Sequence, residues 1–405
     1  ESLATRYFTS RVLEHWLVNY KIDGFRFDLA KGFTQTQTCD NTGNNCSVGT
    51  WSAYDASRIN IWKRYYDTMQ LKSPGSIPIL EHFADNTEEI ELSNYGFLLW
   101  GNMNSNYSQA SMGYSSGFDL SYGLSTNRGW ANPHLVTYME SHDEERVNFK
   151  NIMYGNAYNG YNIKDTNVAP KRLELSYALM LMQPGPKMIS QFGEIGYDSS
   201  INACQSGPNS TTCRTDPKPL RWGYYNDPER RNLYNVIGQL NRLRSNSIYN
   251  PLFSSNNISY NLGGLIKFQS ITVNNVGLVV MGNFDVAAQS VSITFPFSGT
   301  WYNYLNPGTS TNFTATGAAQ SITLQPGEYR VYTNQFVSLC NLNFVLNNGA
   351  DTIRTCSSPY TLAAPSGYTA YAWGNGATTQ SIGVTTTGWY RCTVTSGSCN
   401  ATDSV

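Results

Sequence analysis

The sequence carries little charge and almost no imbalance of it. Only 14% of its 405 residues are Asp, Glu, Lys or Arg, and 27 basic side chains face 28 acidic ones, a formal net charge of -1. With neither sign in excess, nothing draws the chain to nucleic acid or to an anionic membrane surface. No apolar run reaches the roughly 18 residues that would span a membrane. No CxxC pair or Cys/His cluster of the kind that holds zinc is present. An export signal is also lacking, and the first residue is Glu1 rather than Met. The low charge, beside 40% hydrophobic residues, excludes a disordered chain and provides for real cores.

What is present is aromatic and cysteine-containing. The 28 Tyr, 17 Phe and 9 Trp fill ordinary cores, and aromatic faces also stack well on sugar rings. Eight cysteines fall in close groups within polar loops. Cys39 and Cys46 bracket DNTGNN, Cys204 and Cys213 bracket QSGPNSTT, and Cys340, Cys356, Cys392 and Cys399 share the last 70 residues. An even count in such loops reads as disulfides and an oxidising compartment, so the protein is expected to be secreted or held at a cell surface. Cys39–Cys46 and Cys204–Cys213 are expected local bridges, while the last four cysteines allow three connectivities. Disulfides without an export signal suggest that the natural N-terminus lies ahead of Glu1.

Along the chain, helical periodicity marks residues 3–20, 52–70, 88–95, 170–183 and 227–245, the last with Asp227 as N-cap and Pro228 at its first position. Between them lie short apolar segments at 24–30, 77–83, 96–102, 134–141 and 186–192 that read as strands. Alternation of this kind argues for parallel βα units. From about residue 250 the pattern becomes all-β. The expected architecture is therefore α/β: a partial (β/α)8 TIM barrel over 1–249, an all-β domain over 250–334, and a small Ig-like β-sandwich over 335–405.

Three acids stand at predicted strand ends: Asp28 closes GFRFD, Glu81 closes PILE, and Asp143 follows YMESH. Active sites of βα barrels lie at the C-terminal ends of their strands, where these positions converge. Arg26 and Asp28, two apart on a strand, project to one face. A cation beside a carboxylate keeps it ionised, as a nucleophile needs. Paired carboxyl groups break glycosidic bonds, one protonating the leaving oxygen and the other attacking the anomeric carbon. Each acid alone reads equally as a surface or capping group; three in distinctive strings do not.

GFRFDLAKG, PILEHF and YMESHDE resemble, in order and spacing, three signature segments of the α-amylase family, glycoside hydrolase family 13. The resemblance covers roughly residues 1–334. It implies Asp28 as nucleophile, Glu81 as general acid/base and Asp143 as the third carboxylate, which holds the distorted sugar. It further implies Arg26 as the arginine that orients the nucleophile, His142 as a sugar-binding histidine, and Lys31 and His82 as substrate-binding residues on the leaving-group side. Trp100 reads either as a stacking platform or as core. The expected activity is endo-hydrolysis of α-1,4-glucosidic bonds in starch-like glucans with retention, by a monomer. The rivals are a maltogenic or neopullulanase-type hydrolase, a glucan transferase, and a non-catalytic starch-binding surface protein. Calcium is the expected cofactor by resemblance, its ligands unknown and its main site expected ahead of residue 1. There are two departures from the pattern. Lys31 is followed by Gly32 where the family often has His, and the family's Asp…Asn-His string occurs nowhere. With five strands in place of eight, three are expected before residue 1, and the chain alone is expected to be poorly active.

Overall fold

The structure, a computed structural model, describes every residue except 1, 41, 43, 45, 46, 48, 307–309, 340–345, 347–351, 397 and 398. The chain divides into two compact units, Glu1–Gln335 and Phe336–Val405.

The first unit opens with helix α1 (Leu3–Asn19), whose N-cap Ser2 accepts the Thr5 amide. Leu13 and Leu17 are buried, whereas Tyr7, Phe8, Trp16 and Tyr20 from the same apolar pattern are exposed. Strands β1 (Gly24–Phe27), β2 (Ile77–Leu80), β3 (Leu98–Asn102) and β4 (Leu135–Tyr138) then form a parallel sheet in that order. Helix α2 (Ala56–Lys72) lies between β1 and β2, and α3 (Asn86–Tyr95) between β2 and β3. Asp55 and Asp85 cap these helices by accepting the first-turn amides of Ser57 and Thr87. The core is a fully buried set that includes Trp62, Leu80, Phe97 and Leu99. Gly24 is required where β1 meets β2, because a Cβ there would sit 2.0 Å from the Ile77 carbonyl oxygen.

The expected fifth strand, 186–192, is a correction. Among the described residues it contributes one parallel bridge, Thr137 to Lys187. Pro184 and Pro186 have no amide to give a ladder. The Lys187 ammonium folds back onto the carbonyls of Pro184, Gly185 and Pro186. Helices α4 (Asn104–Ser111) and α5 (Val147–Tyr154), a hairpin of β5 (Ala157–Tyr158) and β6 (Tyr161–Asn162), and helices α6 (Ala169–Leu181) and α7 (Pro228–Ser245) complete this region. The α7 N-cap is Asp227, whose carboxylate accepts the Glu229 and Arg230 amides.

Strands β7 (Ile258–Asn261), β8 (Ile266–Val273), β9 (Val276–Asn283), β10 (Gln289–Ile293), β11 (Gly299–Asn303), β12 (Phe313–Ala315), β13 (Gln320–Leu324) and β14 (Tyr329–Thr333) follow. They make a six-stranded sheet, β12-β11-β14-β9-β8-β7, and the pair β10-β13, around Trp301, Phe295 and Met281. Fully buried Arg172 of α6 ties this sheet to the helices: it donates to the Ala110 and Ser111 carbonyls at 2.8 and 2.9 Å and to that of Phe284 at 2.6 Å.

The second unit holds β15 (Tyr360–Ala363), β16 (Ala370–Trp373), β17 (Ser381–Val384), β18 (Arg391–Ser396) and β19 (Cys399–Ser404). Two antiparallel sheets, β15-β17 and β16-β18-β19, share a core of Leu362, Trp373, Ile382 and Val394. Cys204 and Cys213 form a disulfide. The expected Cys39–Cys46 bridge falls on Cys46, outside the described residues. Cys356 and Cys392 are free thiols, a correction to the reading of every cysteine as bridged: Cys392 faces the core from β18, whereas Cys356 is at the surface. Among the described residues no helix is long and apolar enough to cross a membrane.

Candidate active site

Asp28 and Glu81 directly follow β1 and β2, which pair in parallel with Phe27 opposite Leu80. The adjacent strand ends are knitted together beyond the ladder. The Glu81 amide donates to the Phe27 carbonyl at 3.0 Å, and the Ala30 amide to the Glu81 carbonyl at 2.8 Å. Leu29 adopts a left-handed backbone conformation (φ 42°), rare for a branched side chain, and its amide reaches the Glu81 carboxylate at 2.8 Å.

Arg26 joins the two acids. Its guanidinium donates to Asp28 and lies 2.8 Å from Oε2 of Glu81. It also lies 4.1 Å above the buried Trp100 ring of β3, a cation–π contact that fixes its plane. The two carboxyl groups are pushed apart electrostatically. The hydrogen bond from Arg26 holds Asp28 below the ordinary carboxylate range. Burial pushes Glu81 up, against the opposing pull of the Leu29 amide and Arg26. Their exposures differ accordingly, 78% for the Asp28 side chain and 13% for that of Glu81. The two carboxyl groups are thus shifted in opposite directions, the sense in which acid-assisted nucleophilic displacement needs them to differ.

Asp143 lies beyond β4, with His142 Nε2 3.3 Å from its Oδ2. The His142 ring is 6.3 Å from that of Trp100, so Trp100 stands between the Arg26 cluster and the Asp143 loop. Lys31 is tied down, donating to Ser52 Oγ at 3.0 Å and to the Phe83 carbonyl at 3.2 Å. His82 is a correction. It is fully buried, with Nε2 2.6 Å from Glu88, and does not line the surface around Glu81. Just past β2, Glu81 turns to Arg26 whereas its neighbour His82 turns to the buried Glu88. There it joins Arg58 and Glu88, a fully buried ion pair at 2.7 Å. Arg58 spends its remaining donors on the Lys31, Trp51 and Ala53 carbonyls at 2.7 to 3.0 Å. This cluster braces the segments that follow both β1 and β2. Sequence reading passed over it, since Arg58 and Glu88 stand in helices with ordinary surface patterns. It also passed over Arg214, whose Nη2 donates to the Asp143 carbonyl at 2.5 Å. Among the described residues no group of three or more His, Cys, Asp or Glu side chains could hold a metal ion. The expected calcium finds no such donor set there.

No family model and no curated protein matches the sequence. Solved structures do match. AmyP, in complex with maltose, is 14% identical over 82% of this chain and 68% of its own, with a TM-score of 0.61. The α-amylase from Geobacillus thermoleovorans, complexed with acarbose, is 12% identical over 81% of this chain and 63% of its own, with a TM-score of 0.54. CldA, a cyclomaltodextrin glucanotransferase, is 16% identical over 83% of this chain and 60% of its own, with a TM-score of 0.55. The chain thus spans roughly two thirds of the length of the structures it matches. At this identity the likeness speaks for architecture, a parallel βα sheet followed by an antiparallel β domain, and it agrees with what the strand-end motifs implied: the chain has the fold of the α-amylase family of glycoside hydrolases.

Proposed function

We propose that the protein hydrolyses α-1,4-glucosidic bonds of starch-like glucans with retention of configuration. An oxygen of Asp28 attacks the anomeric carbon while Glu81 gives its proton to the departing glycosidic oxygen. Glu81, now ionised, takes a proton from water, which attacks the same carbon and frees Asp28. Asp143 and His142 hold the hydroxyls of the distorted sugar, and Lys31 is the nearest candidate for the leaving-group side. The observation that carries this reading is the Arg26 clamp, with Asp28 held low and Glu81 pushed up around one guanidinium.

A transferase shares the first half of this mechanism and differs in taking a sugar acceptor in the second. A non-catalytic glycan-binding role would leave the opposed carboxyl groups without purpose. The Cys204–Cys213 bridge supports an extracellular setting. Domain limits of 1–249, 250–334 and 335–405 remain our division of the chain. Residues 1–405 alone are expected to be poor catalysts, because among the described residues β1 pairs on one side only and its Asp28 stands open to solvent.

The test is Glu81→Gln in the natural protein. An amide cannot protonate the leaving oxygen, so turnover of soluble starch should fall by three orders of magnitude or more, on the order of what general acids supply, while maltooligosaccharide binding persists. Turnover at the wild-type level would remove Glu81 from the site.

A further inference from the structure

The Asp143 main chain is pinned from one side. Its amide donates to Ser141 Oγ at 3.0 Å, Ser141 donates to Glu144, and Glu144 in turn accepts from Asn102 at the end of β3. The carboxylate is half exposed, and besides its neighbour His142 it meets one cation from far along the chain. Arg214 lies 3.7 Å from Oδ1 of Asp143 and donates to its carbonyl at 2.5 Å.

Arg214 is itself a surface side chain, about half exposed. An exposed ion pair of this kind is too weak to order a polar loop by itself. The loop 200–218 is instead anchored to the same acidic segment near its start and cross-linked within itself beyond that point. Ser200 Oγ and the Ile201 amide donate to Glu145 at 2.7 and 2.9 Å. The Ser210 amide returns to the Asn202 carbonyl at 2.9 Å. The disulfide Cys204–Cys213 closes the neck, with its Cα atoms 5.1 Å apart. The Lys218 ammonium bridges the Ala203 and Cys213 carbonyls at 3.2 and 2.7 Å. The residue after Cys213 is Arg214, delivered back to Asp143, two residues from where the loop was anchored at Glu145.

We infer that Arg214 is a positioning residue for Asp143, and that the Cys204–Cys213 disulfide acts in the reaction by placing Arg214. The inference rests on the proposed role of Asp143. Through its bond to the Asp143 carbonyl and its approach to the carboxylate, Arg214 sets how that carboxylate faces the sugar. The disulfide removes the freedom that the exposed run 205–209 would otherwise give the loop.

The test uses the natural protein, soluble starch and four variants: Arg214→Ala, Arg214→Lys, Cys204→Ser/Cys213→Ser, and the triple variant carrying Arg214→Ala in the last. Removing a charged hydrogen bond at this point should lower kcat about tenfold, with KM changed less than kcat. The cysteine variant should show a similar fall in kcat. The triple variant should be no slower than either, because both changes act through one contact. Arg214→Lys should recover part of the loss, since an ammonium pairs but does not fork. Wild-type kcat in Arg214→Ala, or losses that multiply in the triple variant, would overturn the inference. Should the cysteine variants fail to fold, as read by circular dichroism, Arg214→Ala and Arg214→Lys decide alone. Asp143→Asn separates the two levels. If it stays active, the active-site reading falls; if it is inactive while Arg214→Ala is unimpaired, only this inference falls.

Discussion

Glu174 of α6 sits where the helices meet the β domain. Its side chain is 5% exposed and accepts from Asn232 of α7 at 2.7 Å and from Tyr329 of β14 at 2.9 Å. Burial pushes its carboxyl up from the ordinary 4.5 to about 7. The direction of the linkage follows. Between about pH 4.5 and 7 the folded protein holds a proton that the unfolded chain has released, so stability falls as pH rises through this window and levels off above it. The gap of about 2.5 pH units, at about 1.4 kcal/mol each, amounts to about 3.5 kcal/mol. Glu174→Gln keeps the neutral shape and one acceptor oxygen, so it should abolish this loss. The variant should match wild type near pH 4 and exceed it by about 3.5 kcal/mol at pH 8. Spread over the 335 residues of the first unit, with an unfolding entropy near 2.1 cal/mol/K per residue, that corresponds to about 5 °C in Tm. Urea unfolding of both proteins from pH 4 to 8, followed by tryptophan fluorescence, reads the difference directly, since other titrating groups are common to both. A difference independent of pH, or a variant less stable than wild type at pH 8, would refute the reasoning.

Two further outcomes follow from the ion pairs around the site. Arg58→Ala strands the buried Glu88 and empties three carbonyl contacts, and should cost about 3–5 kcal/mol in the same unfolding assay; a cost below about 1 kcal/mol would mean that the cluster does not brace the strand ends. Arg26→Gln removes the main influence holding Asp28 low, so the acid limb of the kcat/KM–pH profile should move to higher pH, with kcat also reduced; an acid limb left in place would show that Arg26 does not govern Asp28.

The sequence made the strand ends legible because chemistry there is local. GFRFD and PILE place Asp28 and Glu81 just past their strands, and the structure sets those strands side by side. Helix caps were equally local, as at Asp227. What escaped was decided by contacts distant in sequence or by direction. His82 shares a motif with Glu81, yet it turns inward to Glu88, 6 residues on, and to Arg58 beyond. The apolar stretch 186–192 had the composition of a strand, but prolines and the folded-back Lys187 leave it one bridge. Trp100, read as a stacking platform or as core, is buried, and the Arg26 guanidinium lies over its ring. Arg214 could have been suspected as the residue that leaves a disulfide loop, but 71 residues separate it from Asp143 and no periodicity links them.

The central claim is that Asp28 forms the bond to the sugar. The direct measurement is to treat the natural protein with an activated fluoro-substituted α-glucosyl fluoride, which forms the glycosyl-enzyme faster than water removes it, and to map the labelled peptide by mass spectrometry. The account predicts one added glycosyl group on Asp28, absent in Asp28→Asn and slower to turn over in Glu81→Gln. A label on Asp143 or on any other carboxylate, in a protein that degrades starch, would contradict it.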